Sequence, residues 1–164
     1  MNSLNYFILA RVLHVLGVVL WIGGVAFVTT VLIPALREIS SSEKRLEQFE
    51  QLERRFAAQA RVVTVITGLS GFYLLHAMNA WERYHSIEFW WVHLMTLIWV
   101  IFTVELFVLE PLVLHKLFAD LARRDSEKAF TWLQRMHRVL LSLSLLAIVG
   151  GVAGAHGFDF QGLF

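Results

Sequence analysis

Hydrophobic and polar positions are segregated along this chain in long blocks rather than in short alternation. Val12–Leu36 carries no Asp, Glu, Lys or Arg, and Leu4–Ala10 extends it outward past the single charge at Arg11. Val62–Ala80 and Val139–Phe158 are likewise free of charge. Phe89–Val104 is a fourth such block, which resumes after Glu105 as Leu106–Leu109 and runs to about Leu114. A helix needs about 20 mostly apolar residues to cross a bilayer. Strict period-two alternation, the mark of a membrane barrel strand, is absent. The pattern predicts an all-α integral membrane protein with helices at about 4–36, 62–80, 89–114 and 139–158. Polar loops are expected at 37–61 and 115–138. Pro34 and Pro111 fall near the predicted helix ends, where a missing N–H costs least.

Length bounds the architecture further. The 164 residues leave room for four spans in one domain, 1–164, and exclude both a large inverted-repeat transporter and an anchor carrying a separate soluble catalytic domain. The chain is 57% hydrophobic and 16% charged, against about 45–50% and about 25% for a soluble domain. The first block is too long, and lacks the basic start, for a cleaved signal peptide.

The formal net charge of +1 conceals a strong asymmetry. Of the 14 Lys and Arg, six lie in the first loop region (Arg37, Lys44, Arg45, Arg54, Arg55, Arg61) and six in the third (Lys116, Arg123, Arg124, Lys128, Arg135, Arg138). Only Arg83 and Arg11 lie elsewhere. Positive residues favour the cytoplasmic side. The chain is therefore expected to form an up-down-up-down four-helix bundle with both termini outside, multi-pass in the bacterial inner (cytoplasmic) membrane. Trp81, Tyr84, Trp90 and Trp91 form an aromatic belt at the outer connection. In the first loop, Ser40–Ser42 before Glu43 is a helix-capping signal, and Glu50–Arg54 is an i,i+4 pair, so that loop reads as a solvated helical extension.

With no Cys, disulfides, thiolate metal sites, iron–sulfur clusters and covalently attached haem are excluded. The chemistry then falls to the histidines. His14, His76, His93 and His156 fall one per predicted helix, each toward the outer face; His85 is in the outer loop, and His115 and His137 are at the inner boundary. Intramembrane ionisable groups are costly and point to function. On the first helix His14, Gly17, Trp21 and Gly24 share a face, with Arg11 one turn outward. An axial imidazole, small residues for close approach, an aromatic wall and a cation for propionates suit a haem b. Diagonal pairing in such a bundle would set His14 against His93 and His76 against His156. A copper reading uses the same histidines with Met78 and Met95, although i and i+2 positions point about 200° apart on a helix. Gly150-x-x-x-Gly154 suits close helix packing. In the inner half Glu105, the deepest acid, is a candidate proton-relay group, with Glu110 beyond it.

The segment His14-Val-Leu-Gly-Val-Val-Leu-Trp21-Ile-Gly23-Gly24 resembles the opening of the copper resistance protein D (CopD) family. The stretch from Arg55-Phe56 through Arg61 to Thr67-Gly68 and Tyr73 is similar to that family as well. A comparable four-helix plan occurs in HemJ-type protoporphyrinogen oxidases, small haem-b membrane proteins whose third helix reads Trp-x-His-x-Lys. Here Trp91-Val92-His93-Leu94-Met95 carries Met95 at the lysine position. The resemblance implies His14 and His93 as ligands, supported by Arg11 and Trp21.

The sequence thus leads to the expectation of a b-type haem protein for electron transfer or haem-dependent oxidoreduction near the extracytoplasmic face. His14, His93, His76, His156, Arg11, Trp21 and Gly17 are its candidate cofactor-binding residues. The alternatives are CopD-like copper uptake or resistance, a HemJ-like oxidase, and a structural subunit of a membrane complex. Expected partners are the lipid bilayer, a quinone or a periplasmic redox protein, and a second copy of the chain, with no nucleic acid.

Overall fold

A computed structural model describes residues 2–158. Among the described residues all regular structure is helical, and four helices are long and apolar enough to cross a membrane. Helix α1, Ser3–Arg37, is continuous but passes through a π-helical turn at Val28–Leu32. Helix α2 is Ser42–Ala77. Two short 3-10 turns, Trp81–His85 and Ile87–Phe89, lead into α3, Trp90–Val104, which continues as a π-helical segment, Glu105–Leu114. Helix α4 is His115–Arg124 and α5 is Ser126–Ala155.

The four apolar blocks are where the hydrophobic pattern puts them, but the two predicted polar loops are mostly helix. Ser41 caps α2 by accepting from Lys44 N, and the helix then runs for 36 residues without a break. Asp125 caps α5 in the same way, accepting from Lys128 N at 3.0 Å. Helical backbone needs no apolar side chains to form, so a charged stretch beginning at a good cap continues into the apolar run behind it. Nor is the extension simply solvated. Leu46, Phe49, Phe118, Phe130 and Leu133 make a second hydrophobic core at this basic end of the molecule. Arg45, buried there, bonds to Ile39 O and Arg37 O of the α1–α2 turn and to Glu127 and Ser126 of α5. The expected Glu50–Arg54 pair instead forms as Arg54 Nε donating to the Glu50 carbonyl oxygen at 3.4 Å.

Packing partners run antiparallel. Gly17 meets Thr67 and Gly24 meets Phe56 across α1 and α2. Trp99 Nε1 donates to Thr64 O across α3 and α2 (3.0 Å), while Trp90 and Trp91 fill the surface left by Gly150 and Gly154 on α5. Arg37 closes α1 onto α5 through Gln134, Glu127 and Thr131. Trp21, Val63, Phe102 and Leu141 bring all four long helices into one core, where the Trp21 and Phe102 rings meet edge to face at 5.0 Å.

Candidate functional site

The histidines expected to converge at the aromatic end are each engaged separately. His14 faces α2: its Nδ1 donates to Thr67 O at 2.9 Å, Ser70 Oγ lies 3.4 Å away, and the ring rests on Gly71. His93 instead ties α3 to the preceding turn, with Nδ1 at 3.2 Å from Phe89 O and Nε2 at 3.2 Å from Tyr84 O. His156 is exposed and bonds to Val152 O of its own helix (2.7 Å). His76 is exposed at the end of α2, and Arg11 is exposed with its guanidinium over Phe7. The face proposed for α1 divides: His14, Gly17 and Gly24 pack on α2, whereas Trp21 turns into the core against Phe102. Among the described residues no three His, Asp or Glu side chains come together as a metal site. The side chain of His115 lies outside the described residues.

His14 has the orientation of an axial ligand, since donation through Nδ1 leaves the Nε2 lone pair free. A Cβ at Gly68 would lie 2.5 Å from Trp99, at Gly150 2.5 Å from Trp90, and at Gly154 2.2 Å from Trp91. The surfaces left by Gly68, Gly150 and Gly154 are covered by indoles of the neighbouring helix.

A cavity with unpaired polar groups lies toward the basic end. Its volume is about 80 Å³, and it is bordered by Glu53 and Ala57 of α2, Glu105 and Glu110 of the π-helical segment, His137 of α5, and Trp21 of α1. Phe49, Phe56, Phe102 and Trp132 supply aromatic wall. The volume has room for several waters at roughly 10–15 Å³ each.

Backbone chemistry explains why the acids meet here. In a π-helix the N–H of residue i+5 bonds to the carbonyl of residue i. For Leu106 that donor would be residue 111, which is proline and has no N–H. Arg61 of α2 takes its place: Nε donates to Leu106 O at 3.0 Å, and Nη2 pairs with the Glu110 carboxylate. The second π-helical turn, Val28–Leu32, borders the same cavity through Val28 and Leu32. Next to it, Thr29 and Thr30 hydroxyls bond to Val25 O and Ala26 O at 2.6 and 2.8 Å.

Three carboxylates therefore line the cavity, and one of them, Glu110, is paired with the Arg61 guanidinium. Glu53 and Glu105 accept no hydrogen bond from any described residue. His137 Nδ1 donates to Leu133 O (3.0 Å), which leaves its Nε2 as an acceptor. Trp21 is only 4% exposed, and its indole N–H has no partner. Buried polar groups normally are hydrogen-bonded. The Thr64 hydroxyl is the other buried side-chain atom without a partner among the described residues.

The sequence places Glu105 and Glu110 as inner-half acids, whereas Glu53 falls in the first-loop stretch expected to be a solvated helix. The signal was there to be read. Glu53, Ala57, Ala60, Thr64, Thr67 and Gly68 form an i, i+4, i+7, i+11, i+14, i+15 stripe of small residues headed by an acid. Such a stripe belongs to a packed face. Comparison with family models, curated proteins and solved structures finds no match to this chain.

Proposed function

We propose that the chain is a multi-pass protein of the bacterial cytoplasmic membrane that takes up and releases protons at the acid-lined cavity. In this reading the antiparallel helices form an up-down-up-down bundle, and the twelve cationic residues of the basic end hold that end in the cytoplasm. The cavity then lies in the cytoplasmic half, with Glu105 and Glu110 inside the third span. One observation carries the reading: three carboxylates line one cavity between the helices, and only Glu110 is paired, with Arg61. Uncompensated charge there is costly, so the remaining carboxylates are balanced by protons or by a cation. Glu53 and Glu105 exchange the protons, His137 Nε2 accepts from the water between them, and the Arg61–Glu110 pair holds the π-helical segment in place. Difference infrared spectroscopy of the reconstituted protein tests this. A protonated-carboxyl carbonyl band that appears and disappears with pH, and is lost in Glu105→Gln, supports the proposal; its absence at every pH counts against it.

The haem or copper reading keeps one supporting observation, the free Nε2 of His14 set by the Thr67 carbonyl. A visible spectrum with and without dithionite, together with elemental analysis, decides it. A Soret band that His14→Ala removes, or stoichiometric copper, would move the functional centre to the aromatic end. There a quinone or an extracytoplasmic redox protein would be the natural partner.

A further inference from the structure

Alone of the six tryptophans, Trp132 lies within a basic stretch of the chain, and it is 45% exposed. It shares one side of α5 with Glu127, Lys128, Thr131 and Arg135, at i, i+1, i+4, i+5 and i+8 spacing. These five residues line an open groove of about 320 Å³. That is within the range of about 300–1,000 Å³ usual for small-ligand sites. Its charges are unevenly committed. Glu127 accepts from two guanidinium groups, Arg37 at 3.1 Å and Arg45 at 2.5 Å, so its negative charge is more than matched. Lys128 pairs with Asp125 at 2.8 Å. Arg135 is exposed and enters none of these ion pairs. The Thr131 oxygen accepts from Arg37, which leaves its hydroxyl hydrogen to donate. Surplus positive charge and unused donors are the complement of an anion with several oxygens.

The course of α5 selects which anion. The face that carries Trp132 and Arg135 continues into Val139, Leu146 and Val149, all of them exposed and apolar. Arg135 is four residues from Val139, the start of the apolar block, or about 6 Å along a helix. The headgroup layer extends about 5–7 Å beyond the hydrocarbon core on each side. Tryptophan and arginine at this level are residues that anchor a helix among headgroups. We infer that the groove binds the phosphate of an anionic phospholipid whose acyl chains lie along Val139, Leu146 and Val149. Arg135 pairs with the phosphate, Thr131 donates to it, and the Trp132 ring packs beside the glycerol backbone. A soluble phosphate would leave the apolar continuation of the groove uncovered. The inference requires only that the four apolar helices cross a bilayer, and it does not depend on proton exchange.

Native mass spectrometry of the full-length protein in detergent counts bound lipids and tests this. The protein is titrated with phosphatidylglycerol, with phosphatidylcholine of the same acyl chains, and with sn-glycerol 3-phosphate, which carries the phosphate without the chains. The first phosphatidylglycerol is expected to bind about fivefold more tightly than the first phosphatidylcholine, the worth of one cation near an anionic headgroup. Glycerol 3-phosphate at the same concentration is expected not to displace it. Arg135→Gln is expected to abolish the preference. Arg55→Gln, which removes the same charge from an exposed site at the basic end of α2, is expected to keep it. Equal affinities for the two lipids, a preference that persists in Arg135→Gln or is lost equally in Arg55→Gln, or displacement by glycerol 3-phosphate overturns the inference. Should Arg135→Gln fail to fold, Arg135→Lys supplies the comparison, since lysine keeps the charge and loses the guanidinium fork. A preference reduced roughly twofold or more there supports the inference, and an unchanged one overturns it.

Discussion

Arg61→Met is the substitution that most sharply separates packing from charge in the cavity. The arginine makes two contacts: Nε satisfies the carbonyl of Leu106, for which Pro111 has no N–H, and Nη2 pairs with Glu110. Methionine keeps most of the volume and removes both. An orphaned carbonyl costs about 1–2 kcal/mol. Breaking a fully buried ion pair costs about 3–5 kcal/mol, but these side chains are 34% and 20% exposed. Solvent screening therefore reduces the charge part to about 1–3 kcal/mol. Together the loss is about 2–5 kcal/mol, read from reversible unfolding of the full chain in mixed micelles. Adding Glu110→Gln removes the unpaired carboxylate, so the double variant should recover the charge part and stay about 1–2 kcal/mol below the parent. If the two losses simply add, Glu110 does not depend on Arg61 and the account of the π-helical segment is wrong.

Other outcomes follow from the same contacts. Gly68→Ala and Gly154→Ala should each lower stability by about 1–3 kcal/mol, because the new methyl meets rigid indoles, whereas Gly23→Ala, with open space around it, should be neutral or slightly stabilising in thermal melts. His14→Ala should cost about 1 kcal/mol for its bond to Thr67 O, with further loss from the space left on Gly71, while leaving the carboxyl infrared band intact; loss of that band would tie the two ends of the molecule together. Asp125 lies outside the spans, and its carboxyl is held below the ordinary value, first by the side-chain hydrogen bond from Lys128 and then by the Lys128 backbone N–H. A carboxyl whose folded value is depressed stabilises above its unfolded value of about 3.9 and loses that contribution as pH falls through the folded one. Asp125→Ala should therefore melt earlier than the parent at neutral pH, and the two melting curves should draw together in acid.

The spans were legible because lipid imposes a single demand, about 20 apolar residues in a row, and the blocks around Val12–Leu36 and Val139–Phe158 meet it without ambiguity. The charged ends are helical where loops are expected, because hydropathy marks where lipid begins, not where a helix does. Ser41 and Asp125 are caps, and the helices they open run straight into the apolar blocks. That continuity lifts Glu53 to the level of Glu105 and Glu110, which a loop would not do. The glycines were readable as close-approach positions, and they are; what approaches them, Trp99 at Gly68 and Trp91 at Gly154, depends on helix rotation, which a single sequence does not specify. The histidines show the same limit. Their common level at the aromatic end was visible, but His14 turns toward Thr67 and His93 toward Tyr84.

The central claim is that Glu53 and Glu105 exchange protons in a cavity between the helices. Its most direct measurement is the pH-difference infrared spectrum of the protein in liposomes, compared with Glu105→Gln and Glu53→Gln. The account predicts a protonated-carboxyl carbonyl band that shifts in deuterated water and is diminished in each variant. A spectrum with no such band, or one unchanged by both substitutions, would contradict it.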